Sequence, residues 1–333
     1  MMKEQDLYLG IVAVNYTTGD ISTPNTILEK KIGVEENYIF RRTGIQNRFY
    51  LSAEQSFLNL ALSSVNKLLA ETEIKPEDIS VIICASTTFD KNSPSLACEI
   101  LNQIDPAANN LDCFALDINA ACSGYVYGLD VVKNQLLSTY TEAKKNYALL
   151  VTNEAFSHFL GNSPTSDIIF GDASSATLIE LSAHVQKNWK ATIHNSQIGS
   201  VRDRKNSIVL FNEYGCNKML MNGLSVYENA VKTMTYSVNK LLSVNNLSVS
   251  DITMFIPHQA NSKIIEAISR SLGVAKEHFY CNIKEFGNTG ASSIPICLTE
   301  IFYSEHKQVP YTKGMLTSFG AGFAYGSMLI EFI

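Results

Sequence analysis

Cys122, His258 and Asn288 each stand in a turn between a predicted strand and a predicted helix. The carboxyl ends of strands are where α/β proteins place their chemistry. The first turn is Asp117-Ile118-Asn119-Ala120-Ala121-Cys122-Ser123-Gly124. A thiol in the first turn of a helix meets unsatisfied N–H groups and the positive end of the helix, which predicts a pKa lowered from about 8.5 towards neutrality. The competing reading is a small buried hydrophobe, the usual state of a free cysteine. His258 follows the apolar run Phe255-Ile256-Pro257 and precedes Gln259-Ala260-Asn261; taken alone, a satisfied core histidine is the better reading. Asn288 lies in Gly287-Asn288-Thr289-Gly290-Ala291-Ser292-Ser293, which lacks both GxGxxG spacing and a following GK[ST]. It reads either as a turn asparagine or as an amide donor facing a cleft. A further bend, Phe319-Gly320-Ala321-Gly322-Phe323, lets backbone N–H groups approach a ligand closely. If these turns converge, sulfur can attack an acyl donor while imidazole and amide donate hydrogen bonds to a developing oxyanion.

The elements that must position them alternate along the chain. Residues 54–72 carry apolar side chains at helical spacing, Glu77-Asp78 marks a turn, and 79–86 reads as a buried strand. A helix after Ser93-Pro94, strand 114–118, a helix from about Cys122 to Leu137, and strands at 146–153 and near 176–182 follow. The order returns about 173 residues later: helix 224–244, acidic turn Ser250-Asp251, strand 252–257, helix 261–272, a short strand near Phe279-Tyr280, helix 293–305, and strands 314–319 and 325–332. Alternating β and α elements predict largely parallel sheets covered by helices. Two such halves, 1–182 with the cysteine and 183–333 with the histidine and asparagine, predict a layered α/β/α/β/α architecture.

Composition narrows the class. The 333 residues are 46% apolar and 17% charged, which excludes a disordered, collagen-like or coiled-coil chain. A net charge of −6 argues against whole-molecule attraction to nucleic acid or an anionic membrane. No run approaches the about 18 apolar residues of a membrane span, and the start MMKEQDLYLGIVAV does not read as a signal peptide. Seven scattered cysteines without CxxC or HExxH fit a reducing, cytoplasmic setting and give no zinc pattern. The other five histidines, His158, His184, His194, His278 and His306, read as surface or packing residues.

The chain resembles the thiolase-fold condensing enzymes, specifically the β-ketoacyl-acyl carrier protein synthase III family. The resemblance spans nearly its whole length and rests on RRTGIQNR (41–48), DINAACSG (117–124), FGDASSATL (170–178), IPHQAN (256–261), GNTGASSIP (287–295) and SFGAGFAYGS (318–327). It implies a five-layered fold from two duplicated halves and a decarboxylative Claisen condensation of an acyl thioester primer with malonyl-acyl carrier protein. Within it Cys122 is the acyl-accepting nucleophile, and His258 and Asn288 bind the malonyl thioester carbonyl. Ala321 shares the oxyanion hole with Cys122, and Phe319 stands beside the departing carboxylate. Tyr38, Arg42, Asn261 and Lys263 fall where the family binds CoA or the carrier arm, and Ser93 where it reaches the acyl pocket of a partner subunit. The resemblance also implies a homodimer, an acyl carrier protein partner and no metal or prosthetic group, the thioesters of CoA or phosphopantetheine being substrates.

Departures from the family pattern bear on the primer. The tryptophan expected to stack on adenine is Tyr38, the arginine expected on its other side falls at about Pro164, and Lys263 replaces another arginine. Glu228 stands where a docking cation is expected, leaving Lys232, Lys263 and Arg270. These changes predict weak use of free CoA and a primer delivered on a carrier protein. Ser93 is neither the glutamate base of relatives that join two acyl chains nor a bulky stop, which predicts a pocket open to medium or branched acyl groups, in fatty-acid initiation or a secondary-metabolite pathway. The alternatives are a non-decarboxylating acyltransferase of the same fold and a non-catalytic subunit of a condensing complex. Relatives of those kinds usually replace the asparagine, or lose the cysteine or histidine.

Overall fold

The computed structural model describes residues 7–107, 112–141, 146–161, 163–304 and 311–333. The first half runs β1 (Tyr8–Thr18), β2 (Ile21–Pro24), α1 (Asn25–Ile32), α2 (Tyr38–Thr43), β3 (Asn47–Tyr50) and α3 (Phe57–Thr72). It continues with β4 (Ile79–Ala85), α4 (Leu96–Ile104), β5 (Phe114–Ile118), α5 (Gly124–Thr139), β6 (Tyr147–Glu154), α6 (Pro164–Asp167) and β7 (Ala173–Ser182). The second half runs β8 (Ala191–Ser200), β9 (Ile208–Glu213), β10 (Cys216–Met221), α7 (Gly223–Val244), β11 (Met254–Pro257) and α8 (Ser262–Leu272). It closes with α9 (Ile283–Phe286), α10 (Ser293–Tyr303), β12 (Lys313–Phe319) and β13 (Ala324–Phe332).

Nine strands form one hydrogen-bonded array in the order β11-β12-β13-β8-β1-β7-β6-β4-β5. Its two halves, β5-β4-β6-β7-β1 and β8-β13-β12-β11, meet through only three paired residues of β1 and β8, Leu9 with Ile193, Gly10 with Thr192 and Ile11 with Ala191. Between the half-sheets lies the central core. There Tyr125, Val126 and Leu129 of α5 and Ile294, Cys297 and Leu298 of α10 pack on Val81, Ile83, Leu316 and Met328. Outside the first half-sheet α3 and α4 bury Val65, Leu68, Leu96 and Ile100, and outside the second α7 and α8 bury Val238, Leu241, Ile264 and Ile268. Helix, sheet, helix, sheet, helix: the five layers follow from each sheet's need to bury both faces.

Two expectations need correction. The sheets are mixed, because β4 pairs in parallel with β5 and β6, and β11 with β12, while β6–β7, β7–β1, β1–β8, β8–β13 and β13–β12 are antiparallel. β12 and β13 are joined by a tight bend, too short for a crossover, and the β6–β7 connection, residues 155–172, carries only a 3-10 turn (Phe156–Phe159) and the one-turn α6, not a long helix packed across the sheet. Phe279-Tyr280 is no strand; it contributes a single bridge, Phe279 opposite Phe255, with the two rings stacked at 4.8 Å. Helix α10 ends at Tyr303, and residue 305 and His306 lie outside the described residues. Among the described residues no helix is long and apolar enough to cross a membrane.

Candidate active site

The sulfur is positioned by a strand, a tight turn and a helix. β5 ends at Ile118, Ala121–Ser123 forms a single 3-10 turn, and α5 begins at Gly124. Ala121 adopts φ +49°, an uncommon conformation for a residue with a Cβ, and the Asn119 carboxamide oxygen accepts its N–H at 3.2 Å. The Ser123 hydroxyl donates to the Ala324 carbonyl at 2.9 Å, tying the turn to the start of β13. Gly320 makes the approach possible: a Cβ there would lie 2.7 Å from the Cys122 nitrogen, so only glycine lets the Phe319–Phe323 bend sit against the nucleophile turn.

His258 follows β11 and is buried, its N–H donating to the Thr317 carbonyl at 2.8 Å across the parallel pair. Its Nδ1 lies 2.7 Å from Ser293 Oγ. Gln259 anchors the turn, its amide donating to the Pro257 and Tyr280 carbonyls and its oxygen accepting the Asn282 N–H. Asn288 is buried as well. Its backbone bridges in parallel to Phe170, its N–H donating to the Ile169 carbonyl at 2.9 Å and its carbonyl accepting the Gly171 N–H at 3.0 Å. Gly287, at φ +65°, is pressed so closely on the Ile169 carbonyl that a Cβ would lie 2.8 Å from it. The Asn288 side-chain oxygen accepts the Gly290 N–H at 2.9 Å, leaving its amide hydrogens free to serve the cavity.

One cavity is lined by Cys122, His258, Asn288, Phe319, Ala321, Asn261 and Lys263 together. Phe156, Ile169, Leu210, Val226 and Met234 give it apolar walls. A second cavity shares Asn261, Lys263, Met221 and Gly223 with the first and carries Tyr38 and Arg42 on its wall. The Arg42 guanidinium lies 4.6 Å from the centre of the Tyr38 ring, a cation–π contact that occupies one face of that ring. Asn261 caps α8, its oxygen accepting the Lys263 N–H at 2.9 Å, and its amide reaches the Arg42 carbonyl at 3.3 Å. Ser93 stands apart: it is exposed on the segment before α4 and lines neither cavity of the single chain.

Electrostatics here run against one expectation. Burial, reinforced by the negative field of Glu154, pushes the Cys122 thiol up to about 12, where a helix-start thiol was expected to fall. Desolvation of the sulfur, and after it the buried Glu154 carboxyl, outweigh the positive end of α5. Burial pushes His258 down to about 3, so the imidazole is neutral across the physiological range. Glu154, at the end of β6, is raised to about 8 by burial although the Thr88 hydroxyl and the Thr87 N–H donate to it.

Three contributors escaped sequence reasoning. Glu154 lies one residue beyond the predicted strand 146–153, in no motif that marks it. Ser293 sat unremarked in the GNTGASSIP run. Arg48, fully buried, sends one guanidinium nitrogen to Asn25 Oδ1 at 2.8 Å and another to the Ile168 carbonyl at 2.9 Å, behind the Asn288 loop. Its place as the final residue of RRTGIQNR was the available signal. Among the described residues no three His, Cys, Asp or Glu side chains form a set able to hold a metal ion.

Fold and site together define a thiolase-like condensing enzyme, a transferase of the acyltransferase class. Residues 116–200 match the family described as 3-oxoacyl-[acyl-carrier-protein] synthase III, and residues 242–332 match its C-terminal region. The β-ketoacyl-[acyl-carrier-protein] synthase III of Nitratidesulfovibrio vulgaris is 31% identical over 320 residues, 92% of this chain and 94% of that protein. The enzyme of the same name from Campylobacter jejuni subsp. doylei is 32% identical over 319 residues, 92% of this chain and 93% of its own. The crystal structure of 3-oxoacyl-[acyl-carrier-protein] synthase III from Aquifex aeolicus superposes with a TM-score of 0.84 at 27% identity, covering 97% of this chain and all of that one. The chain belongs to the β-ketoacyl-acyl carrier protein synthase III family.

Proposed function

We propose that this enzyme takes an acyl group from a thioester onto Cys122 and condenses it with malonyl-acyl carrier protein to a β-ketoacyl thioester. The carrying observation is that Cys122, His258, Asn288, Ala321 and Phe319 line one cavity whose apolar walls accept an acyl chain. In the first half-reaction sulfur attacks the primer carbonyl, the carbon–sulfur bond to the donor breaks, and the proton lost by Cys122 ends on the departing thiol. In the second, His258 and the Asn288 amide donate to the malonyl thioester carbonyl. Its carbon–carbon bond breaks, carbon dioxide leaves, and the electron pair is held as an enolate. The enolate carbon attacks the Cys122 acyl carbon, the N–H groups of Cys122 and Ala321 hold the resulting oxyanion, and collapse returns the thiolate, which takes up a proton. Phe319, buried against Phe323 at 5.1 Å between centroids, offers the departing carboxylate an apolar face that favours neutral carbon dioxide. Every step is assigned to protein groups, without metal or prosthetic group.

Delivery on a carrier protein is the reading that the cavity mouth supports. Arg42 already covers one face of Tyr38, reducing the ring's use as an adenine platform. Glu228 is the neighbour of Arg202, Arg204 and Lys205, cations exposed around an adjoining hollow at the start of α7 that suit an acidic carrier. A homodimer is supported by β5, the edge strand, whose Phe114 and Leu116 are exposed in the single chain. A partner covering that edge brings the exposed Ser93 segment within reach of an acyl pocket. All seven cysteines are free, which suits a cytoplasmic enzyme.

Intact-mass measurement after incubation with a panel of acyl-CoA and acyl-carrier donors tests this function. A mass gain on wild type that is lost in Cys122→Ala, larger from carrier than from CoA donors, is expected. Acylation surviving Cys122→Ala, or malonyl-carrier left intact by the acylated enzyme, refutes it.

A further inference from the structure

His258 has two possible neutral forms, and the one that donates into the cavity must be selected by its neighbours. Its ring is buried, and the only side-chain partner of its Nδ1 among the described residues is Ser293 Oγ, at 2.7 Å. Ser293 is the first residue of α10 and is itself buried. Its oxygen also receives the Gln259 N–H, at 3.3 Å. The hydroxyl hydrogen then needs an acceptor, and among the described residues Nδ1 is the one within hydrogen-bond distance. Were Nδ1 to carry the proton, two N–H groups would converge on one oxygen and the hydroxyl hydrogen would be buried without a partner, which disfavours that form. The neighbouring Ser292 does not share this task, since its hydroxyl faces Thr152 and the Ala173 carbonyl on the far side of the turn.

We propose that Ser293 is a positioning residue which, by donating its hydroxyl hydrogen to Nδ1, holds His258 in the tautomer with the proton on Nε2. That form places a hydrogen-bond donor, and not a lone pair, on the edge of the ring remote from Ser293. A malonyl thioester carbonyl, which accepts more strongly as it becomes an enolate, needs that donor. The consequence for decarboxylation rests on the function proposed above; the tautomer does not.

The test is a long-range ¹H–¹⁵N correlation spectrum of the full chain labelled with ¹⁵N-histidine, recorded without substrate. The chain has six histidines, and the His258 signals are assigned by their loss in His258→Gln. The expected result is the Nε2–H pattern at His258 in wild type and a shift towards Nδ1–H or a mixture in Ser293→Ala. Ser293→Ala should also lower malonyl-thioester decarboxylation, by up to the roughly 10²–10³-fold that loss of one oxyanion donor costs. Acylation of Cys122 should be unchanged, and Ser293→Thr, which keeps the hydroxyl, should retain the wild-type spectrum. A wild-type Nδ1–H pattern overturns the proposal even if every variant fails to fold. So does Ser293→Ala decarboxylating like wild type. Failure of the proposed function has a different signature, absence of decarboxylation by the wild-type enzyme whatever its tautomer.

Discussion

The Asn288 side-chain oxygen accepts the Gly290 N–H at 2.9 Å, and this one bond determines which end of the carboxamide meets a substrate. With the oxygen engaged, only N–H groups remain to face the cavity, so the residue acts there as a donor. Asn288→Asp keeps the shape and the Gly290 bond but replaces the donor by a carboxylate oxygen. Malonyl-carrier decarboxylation should fall by roughly 10²–10³-fold or more, since a donor is lost and a like charge faces the enolate. Acylation of Cys122, followed by intact mass, should persist. Equal loss of both half-reactions would show that Asn288 serves the fold and not the enolate.

Neutrality of His258 sets a second expectation. Burial holds the ring at about 3, so its protonation does not change between pH 5 and 9. The decarboxylation rate of acylated enzyme should therefore show no inflection near the ordinary histidine pKa of about 6.5. The linkage runs with it: a depressed histidine pKa makes stability rise as pH increases from about 3 through 6.5. His258→Ala should slow decarboxylation by roughly 10²–10³-fold and spare self-acylation. A bell-shaped profile with a limb near neutrality that vanishes in His258→Ala would contradict this account.

Much of this was legible in the chain, and the reasons differ by element. α3, α7 and α8 announce themselves by apolar spacing, and β4, β6 and β11 by short apolar runs between turn residues. β1 is just as apolar, yet at the start of the chain its run invites a test for a leader and not for a central strand. β8, with Asn195, Ser196, Gln197 and Ser200 among its residues, carries no such run, and only its place between β1 and β13 makes it a strand. The turns holding Cys122, His258 and Asn288 were visible because small residues after a strand are a local signal. The roles of Glu154, Ser293 and Arg48 depend on neighbours far away in sequence. Thr88 is 66 residues from Glu154, and Ile168 is 120 from Arg48. The lowered thiol pKa expected at Cys122 failed for the same reason, because the burial that raises it, and the carboxyl of Glu154 on β6 that adds to it, arise only when distant segments pack around the turn.

That carboxyl gives a third prediction. Glu154 raises the Cys122 pKa, second only to burial, so Glu154→Gln should lower it. The pH midpoint of Cys122 alkylation by iodoacetamide should move down in the variant. Stability should respond in a defined sense. A carboxyl raised from 4.5 to about 8 stabilises the fold below its unfolded pKa, and that contribution is lost as pH rises through about 8. Denaturant midpoints of wild type should decline across this window, and those of Glu154→Gln should be flatter. An unchanged alkylation midpoint would mean that Glu154 and Cys122 do not sense one another.

Arg48 gives the last. Its guanidinium is wholly buried and bonds Asn25 Oδ1, the Thr23 carbonyl at 3.3 Å and the Ile168 carbonyl, joining β2 and the start of α1 to the end of α6, just before the Ile169–Gly171 segment that bonds Asn288. Burial lowers its pKa, but an arginine stays charged, so this cation depends on those oxygens for its solvation. Arg48→Ala removes the cation and leaves three buried acceptors facing a void, a loss of about 3 kcal/mol or more in unfolding free energy. Arg48→Lys keeps the charge but cannot span the two sides of the fork, and should recover only part of it. The Gly287–Asn288 turn lies against the Arg48 side chain, a Cβ on Gly287 falling 3.2 Å from Arg48 Cβ. Loosening that support should therefore slow decarboxylation more than acylation in whatever fraction of Arg48→Lys remains folded. Denaturant unfolding beside single-turnover assays of the two half-reactions separates the effects, and a variant as stable as wild type would show that the guanidinium is dispensable to the loop.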